Sequence, residues 1–460
     1  MQEPLGTLSI EADRASYANV RRYLLNNLLP PKDAVRLEEL VNYFDYDYDK
    51  PKGDMPFSFK TELSSCYWAE GNFLLHIGLQ GRSMDMKNAP PNNLVFLIDV
   101  SSSMKEPKKL ELAKPALRIL ANALRAEDRV AIVAFADEAN LVLPAAPGNE
   151  KEMISGAIAK LEAGGSTAGA AGIELAYQVA KENFIENGNN RVILATDGDF
   201  NAGMSSDGYL ARLIEAKRMD GVYLTCLGFG MGNYKDNKLE MLANKGNGHY
   251  AYIDNLLEAQ KIFGSDLTGT LYTVARDVKI QVEFNPYIVQ AYRLVGYENR
   301  RLAKEYFNND AKDAGEIGAG QSVTALYEIV PVQVPFDFRG NDVDPLKYQV
   351  SALNPAAENA SEVVTLKLRY KLPDSEASQL ITQTVEHRWR PFASASVDFR
   401  WAAVAAGFGM LLSDSQYKGD MTYNELIYTG KQNIGKDKHG HRAECIKLME
   451  MAKLLTEVIE

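Results

Sequence analysis

A continuously apolar run, Leu94–Ile98, is followed directly by the polar segment Asp99-Val-Ser-Ser-Ser103. A strand without polar alternation is typical of a parallel sheet that is covered by helices on both faces. The polar residues would then lie at the carboxyl end of that strand. In open α/β sheets, ligands bind in the crevice beyond these ends. The run therefore predicts a doubly wound sheet with a ligand site at its edge.

The same organisation extends from residue 92 to residue 271. Strand-like apolar runs alternate there with amphipathic helical segments, which indicates βα units and a mostly parallel, Rossmann-like sheet. The predicted strands are 94–99, 130–135, 140–144, 191–196, 222–228 and 249–253. The predicted helices lie near 108–124, 151–161, 170–184, 208–219, 237–244 and 256–270.

Two later segments can bring further oxygen atoms to the end of the first strand. Gly164-Gly-Ser-Thr167 is a glycine-rich loop, and Ala195-Thr-Asp197-Gly198 ends another strand-like run. Hard cations such as Mg²⁺ bind oxygen ligands in near-octahedral geometry and keep positions for water or a partner's oxygen. An Asp-x-Ser-x-Ser turn alone is weak, because such turns usually hydrogen-bond their own backbone. The three segments together predict a metal site.

This order of motifs resembles the metal-ion-dependent adhesion site of von Willebrand factor type A (VWA) domains. The resemblance implies that the hydroxyls of Ser101, Ser103 and Thr167 bind the ion. It implies that Asp99 and Asp197 act directly or through water, and that a Glu or Asp of a partner occupies the sixth position. The expected ion is Mg²⁺, with Mn²⁺ or Ca²⁺ as alternatives.

Outside this region, the chain predicts an antiparallel β-sandwich and helical ends. The runs 278–284, 323–329 and 364–370 alternate strictly, and two strands within 57–80 would join them, so that the VWA domain is inserted into a β domain. The predicted domains are a helical N-terminal region at 1–50, joining strands at 51–91, the VWA domain at 92–271, the β-sandwich at 272–392 and a helical C-terminal region at 393–460.

Several single features have ordinary structural interpretations. The acidic, tyrosine-rich segment 45–51 is predicted to be a solvated linker, and Asp199 a solvated loop charge. His76 is predicted to be a packed or hydrogen-bonded strand residue, since no His or Cys neighbours it. The apolar stretch Trp401–Leu412 is too short to span a bilayer and is predicted to be a core helix, so no transmembrane segment is expected.

Composition excludes some classes of function. The 460-residue chain has a net charge of -11 and no basic patch, which argues against a nucleic-acid partner. Its length predicts two or three domains. Cys66, Cys226 and Cys445 have neither metal-ligand spacing nor the pattern of a disulfide framework, and a Cys66–Cys445 bridge stays an alternative to free thiols.

The segments Ala15-Ser-Tyr-Ala-Asn-Val-Arg-Arg-Tyr23, Leu29-Pro-Pro-Lys-Asp-Ala-Val-Arg36 and Asn42-Tyr-Phe-Asp-Tyr46, together with 309–320, resemble bacterial YfbK-like VWA proteins. The resemblance covers nearly the whole chain. The resemblance to VWA domains implies that the strand at 140–144 pairs antiparallel at the edge of the sheet. Members of the family are commonly exported, often as lipoproteins, which implies a location in the bacterial cell envelope, in the periplasm or at the surface. The resemblance implies a leader that precedes this sequence, and it leaves both a lipid-anchored and an unanchored form open.

The leading functional hypothesis is a Mg²⁺-dependent protein-binding module of the adhesion type, and not an enzyme. The partner would be a protein with an exposed Glu or Asp, or the acidic loop 308–316 of this chain or of a second copy. One alternative is a scaffold in which the ion only connects three loops. A Mg²⁺-assisted hydrolase is disfavoured, because no second Asp follows Asp99 two residues later and no nucleophile motif is present.

Overall fold

The computed structural model describes residues 4–10, 14–199, 207–230, 236–297, 302–310, 314–335, 353–373 and 375–459. The strands are β1 (Leu5–Ser9), β2 (Phe57–Ser65), β3 (Phe73–Gly81), β4 (Asn92–Asp99), β5 (Arg129–Phe135), β6 (Ala139–Pro147), β7 (Asn189–Thr196), β8 (Val222–Gly228), β9 (Tyr250–Tyr252), β10 (Thr273–Phe284), β11 (Val289–Leu294), β12 (Gly315–Gly318), β13 (Ser322–Pro331), β14 (Glu362–Lys371) and β15 (Ser378–Glu386). The helices are α1 (Ala15–Leu25), α2 (Leu37–Asn42), α3 (Leu110–Ala123), α4 (Lys151–Ala159), α5 (Gly169–Glu182), α6 (Asp207–Met219), α7 (Asp236–Lys245), α8 (Leu256–Gln260), α9 (Leu267–Leu271), α10 (Val397–Leu412), α11 (Tyr423–Gln432) and α12 (His441–Ile459).

A six-stranded sheet in the order β6-β5-β4-β7-β8-β9 forms the centre of the VWA-like region. All neighbouring pairs are parallel except β5 and β6, so β6 is the antiparallel edge strand. The predicted doubly wound sheet is therefore confirmed. The helix predicted at 256–270 is interrupted, because a π-helical turn at Lys261–Ser265 separates α8 from α9.

Every residue of β4 is buried. Leu94, Phe96 and Ile98 belong to an apolar cluster that continues into the antiparallel sheets. Val95 and Leu97 face the other way, into a second cluster that includes side chains of α5. Since both faces of the strand are covered, all of its side chains can be apolar, which explains why the run shows no polar alternation.

The remaining strands form two antiparallel sheets that share one apolar cluster. One sheet has the order β11-β13-β3-β2, and the other has the order β1-β10-β14-β15 with β12 also paired to β10. Because β2 and β3 precede the VWA-like region and β10 to β15 follow it, that region is inserted into the β domain as predicted. Strand β1 was not predicted, and it pairs antiparallel with β10 across Leu5–Ser9.

Helix α10 lies in the centre of the helical cluster formed by the chain's ends. Nearly all of its residues are buried, including Trp401, and Ser396 caps it by accepting a hydrogen bond from the Phe399 N–H at 3.1 Å. The core helix predicted here is confirmed. Among the helices that the structure describes, none is both long and apolar enough to cross a membrane.

The tyrosine-rich segment is not the solvated linker that was predicted. Tyr46 and Tyr48 are buried, whereas the aspartates on either side of them are exposed. The Tyr48 hydroxyl lies 2.8 Å from His76 Nε2 and 2.6 Å from Thr324 Oγ1. The segment is extended, and its period-two alternation of Tyr and Asp turns one face onto the β domain. The predicted packed and hydrogen-bonded role of His76 is confirmed.

All three cysteines are buried and free, so the alternative of a Cys66–Cys445 bridge is wrong. Burial raises the pKa of the Cys66 thiol to about 12, which keeps it protonated at neutral pH. A protonated, buried thiol is a poor nucleophile and a poor metal ligand. These residues therefore act as small apolar side chains.

Replacing Tyr48 with Phe should destabilise the fold. The Tyr48→Phe change leaves His76 and Thr324 without their shared partner in a buried site, which typically costs about 1–3 kcal/mol. Urea unfolding monitored by circular dichroism measures the loss. Tyr428→Phe, on a ring that is 68% exposed, is the matched control and should be nearly neutral. Equal effects for both variants would contradict the structural role of Tyr48.

Lowering the pH should destabilise the wild type through His76. Burial lowers the pKa of His76 to about 4, from 6.5 for a free imidazole, so the unfolded chain gains this proton first as the pH falls. The contribution of the neutral His76 to the free energy of unfolding is complete above pH 6.5 and declines as the pH falls towards 4. Between pH 7 and pH 5 the free energy of unfolding should fall by about 2 kcal/mol for this reason. Urea unfolding of the wild type and of His76→Gln at both pH values measures the difference. A variant that loses as much stability as the wild type would exclude His76 as the cause.

Candidate metal centre

The ends of strands β4 and β7 bring two carboxylates together. In the parallel register, Ile98 lies opposite Ala195, so that Asp99 and Asp197 end or follow neighbouring strands at one edge of the sheet. Both side chains are completely buried. Thr196 Oγ1 donates a hydrogen bond to Asp99 Oδ2 at 2.7 Å and thereby connects the two strand ends.

The glycine-rich loop is hydrogen-bonded to the turn that follows β4. The Ser102 N–H donates to the Gly165 carbonyl at 3.0 Å, and the Gly164 N–H donates to the Val100 carbonyl at 2.7 Å. Thr167 follows these contacts by two residues and is half-buried. The backbone pairing therefore brings the third predicted segment beside the other two.

Asp137 holds this glycine-rich loop in place, a role that no motif in the sequence indicates. Its Oδ1 accepts hydrogen bonds from the Ser166 N–H at 2.8 Å and from the Ser166 hydroxyl at 2.6 Å. These bonds hold the pKa of Asp137 below its usual range. Gly165 has φ of +80°, and a Cβ there would lie 2.4 Å from Asp137 Oδ2, so glycine is required at this position.

The serine hydroxyls have the spacing of adjacent metal ligands. Ser101 Oγ and Ser103 Oγ are 3.1 Å apart. Adjacent oxygens bound to one octahedral Mg²⁺ at about 2.1 Å would be about 3.0 Å apart. Ser101 is buried and Ser103 is half-buried, so the pair lies at the boundary between the core and the surface. The donor set and its spacing fit a hard divalent cation.

Each carboxylate oxygen at the site already accepts a hydrogen bond. Asp99 Oδ1 accepts from the Ser101 N–H at 2.9 Å. Asp197 Oδ1 accepts from the Asp199 N–H at 3.1 Å, and its Oδ2 accepts from Lys109 Nζ at 3.0 Å. These contacts orient both carboxylates and favour hydroxyls as the direct ligands of an ion.

The pKa of Asp99 shows that burial disfavours the charged form of its carboxylate. Burial raises the pKa of Asp99 to about 6 and the charge of Asp197 adds to the shift, whereas hydrogen bonds from Ser101 and Thr196 oppose it. Nearby, Asp199 is only partly exposed, and its Oδ1 is buried without a hydrogen-bond partner among the described residues. Asp199 is therefore only in part the solvated loop charge that was predicted, and its buried Oδ1 is a further acceptor beside the site.

Lys109 is a second residue of the site, after Asp137, that sequence reasoning missed. It is 3% exposed, and its Nζ lies 3.0 Å from Asp197 Oδ2 and 3.0 Å from the Ser103 carbonyl. Two consecutive lysines, Lys108 and Lys109, begin the helical segment and read as surface charge. The one sequence signal for the burial of Lys109 is that it directly precedes Leu110, the first apolar residue of α3.

Within the described ranges, no group of three or more His, Cys, Asp or Glu side chains could hold a metal ion. A metal site among these residues would need ligands beyond such a group, and the serine hydroxyls are oxygen atoms of that kind. In the predicted acidic loop 308–316, Asp310 accepts hydrogen bonds from Arg369 at 2.9 Å and from Ser378 at 2.6 Å, and Glu316 accepts one from Thr273 at 2.9 Å. Asp313 lies outside the described residues. The two described acids are thus bound within the β domain.

Comparison with known families agrees with this architecture. The family model of the von Willebrand factor type A domain matches residues 93–265, and a model described as von Willebrand factor matches residues 1–76. The C-terminal model of the uncharacterized protein YfbK matches residues 269–455. The molecule is thus a VWA-domain protein, and VWA domains are generally modules for protein interaction.

The particular family follows from a relative whose match covers nearly the whole of this chain. The Escherichia coli (strain K12) protein YfbK, described as uncharacterized, is 41% identical over 465 residues, which cover 99% of this chain and 79% of that protein. The chain belongs to the YfbK family of VWA proteins.

Two solved structures are also similar to this chain. A von Willebrand factor type A protein from Catenulispora acidiphila is 16% identical, with a TM-score of 0.47, and the match covers 88% of this chain and 91% of that one. BatB from Bacteroides thetaiotaomicron is 20% identical, with a TM-score of 0.33, and that match covers 38% of this chain and 97% of that one.

Removing the hydroxyl between the two strand ends should destabilise the protein. Thr196→Val leaves Asp99 Oδ2 and the Gly198 N–H without the buried hydroxyl that pairs with both, at a cost of about 1–3 kcal/mol. Thr196→Ser keeps the hydroxyl and should lose less. Thermal unfolding in EDTA measures both variants without a contribution from metal. A smaller loss for Thr196→Val than for Thr196→Ser would contradict this role.

Proposed function

We propose that this protein is a Mg²⁺-dependent protein-binding module of the adhesion type. The ion binds to the hydroxyls of Ser101, Ser103 and Thr167, and Asp99 and Asp197 orient this shell directly or through water. An exposed Glu or Asp of a protein partner completes the coordination. Bound at this place, Mg²⁺ supplies a hard Lewis acid that prefers a carboxylate oxygen.

The observation that carries the proposal is the pair of serine hydroxyls 3.1 Å apart beside two buried carboxylates. Hydroxyls that are neutral leave most of the ion's charge uncompensated, so that an anionic ligand is favoured in the open position. The carboxylates contribute long-range attraction for the cation without occupying that position. This arrangement supports recognition of an acidic side chain rather than permanent enclosure of the ion.

The proposal includes a location in the bacterial cell envelope. This part rests on the resemblance to YfbK-like proteins, which are commonly exported. Fractionation of a cell that makes the natural protein, followed by immunoblotting of the cytoplasmic, periplasmic and membrane fractions, tests it. Recovery of the protein in the cytoplasmic fraction alone would contradict the envelope location.

Metal binding should stabilise the wild type, and Ser103→Ala should remove most of this effect. At about 100 times its Kd, an ion that binds only the folded state adds about 2.7 kcal/mol. Ser102→Ala is the matched control, because Ser102 is exposed and lies between the two proposed ligands. Thermal unfolding in EDTA and in Mg²⁺, Mn²⁺ or Ca²⁺ gives the shift for each form.

Absence of a shift for the wild type with all three ions at millimolar concentration would contradict metal dependence. A partner captured in Mg²⁺ but not in EDTA, by wild type and Ser102→Ala but not by Ser103→Ala, would support protein binding. A metal-dependent shift without any metal-dependent partner would support the scaffold function instead.

A further inference from the structure

The candidate metal centre contains a cation that belongs to the chain itself. The Lys109 ammonium lies 3.0 Å from Asp197 Oδ2 and 3.0 Å from the carbonyl of Ser103. Ser103 is one of the proposed hydroxyl ligands, and Asp197 is one of the two proposed carboxylates. The ammonium is thus next to the position where the hydroxyl and carboxylate oxygens converge.

Lys109 cannot move to solvent without a change in the surrounding structure. Its side chain is 3% exposed, and it passes so close to Gly230 that a Cβ there would lie 2.5 Å from Lys109 Cε. The Gly230 carbonyl accepts hydrogen bonds from Arg22 Nη1 at 3.1 Å and from the Tyr252 hydroxyl at 2.6 Å. Helix α1 and strand β9 therefore fix the wall against which Lys109 packs.

Stability alone gives no reason for a lysine at this position. A buried ion pair is often no more stabilising than apolar residues of the same volume, because both charges must be desolvated. The position of the Lys109 ammonium beside Asp197 has a clearer electrostatic consequence. The ammonium lies 3.0 Å from the buried Asp197 and 3.4 Å from Glu106, which is largely exposed, so Asp197 is its buried counter-charge when the site holds no ion. The ammonium repels a divalent cation that enters, because both are positive and the interior screens them weakly.

We propose that Lys109 sets the metal affinity of this site by acting as a competing internal cation. Its bond to Asp197 Oδ2 opposes direct coordination of the ion by that oxygen and lowers the affinity for divalent cations. This inference rests on the proposed metal-dependent function and names the residue that regulates it. The affinity for the ion is therefore lower than the same ligands would give without the lysine.

The test compares neutral variants of Lys109 with a matched loss of charge nearby. Lys109→Met removes the ammonium and keeps an apolar chain of similar length, and Lys109→Gln removes the charge but keeps a donor for the Ser103 carbonyl. Lys108→Met is the control, because Lys108 is exposed. Titration calorimetry with Mg²⁺, and electron paramagnetic resonance of free Mn²⁺, give the Kd of each form. The Kd of both Lys109 variants should be lower by at least about tenfold, because one unit of like charge is removed from a weakly screened site.

The outcomes separate this inference from the proposed function. If the wild type and both Lys109 variants bind Mg²⁺ with the same Kd, the inference is overturned and the metal site stands. If the Lys109 variants bind more weakly, the lysine positions the ligands rather than competes with the ion, and the inference is also overturned. If no form binds Mg²⁺ or Mn²⁺, the proposed function fails and the inference fails with it. If Lys109→Met does not fold, the Kd of Lys109→Gln is compared with that of the wild type and of Lys108→Met instead.

Discussion

Strand β4 has no exposed residue, and its side chains alternate between two apolar clusters. Layers on both sides of the strand are needed to bury them, which favours parallel neighbours joined by helical crossovers. The same burial determines where polar chemistry can occur. Asp99 is the last residue of β4, and its carboxylate is satisfied only because the adjacent strand supplies Thr196 and the following turn supplies the Ser101 N–H. Fold and candidate site therefore depend on one strand.

The N-terminal helix takes part in the VWA-like region rather than only preceding it. Arg21 of α1 is buried and donates to Asp254 at 2.8 Å, to Glu258 at 2.6 Å and to Glu444 of α12 at 3.2 Å. Removing one partner of such a buried network is costly because the remaining charge is left unpaired. The next residue, Arg22, donates a hydrogen bond to the carbonyl of Gly230, the residue that packs against the Lys109 side chain. The N-terminal helix thus contributes to the surroundings of the site, and α12 is bonded to that helix through Glu444.

The sequence was informative where local pattern and tertiary environment agree. The apolar run before Asp99 predicted β4. Asp99 and Asp197 lie at neighbouring strand ends, and the glycine-rich loop between α4 and α5 hydrogen-bonds to the turn that follows β4. Prediction failed where a distant contact decides the environment. The segment around Tyr48 is charged and reads as solvated, but its tyrosines are buried through contacts with His76 and Thr324. Lys109 reads as surface charge because its burial requires Gly230, on a different loop.

Under the proposed function, the arrangement of charges would connect metal binding with partner binding. An ion held by three neutral hydroxyls, beside carboxylates that are already hydrogen-bonded, keeps more of its charge than an ion bound by several carboxylates directly. An acidic side chain of a partner would neutralise that charge, so each ligand would raise the affinity of the site for the other by the same factor. The Lys109 ammonium, 3.0 Å from Asp197, would strengthen this dependence, because its positive charge disfavours the bare ion and attracts an approaching carboxylate. Under the proposed function, the site is therefore most fully occupied when ion and partner are bound together.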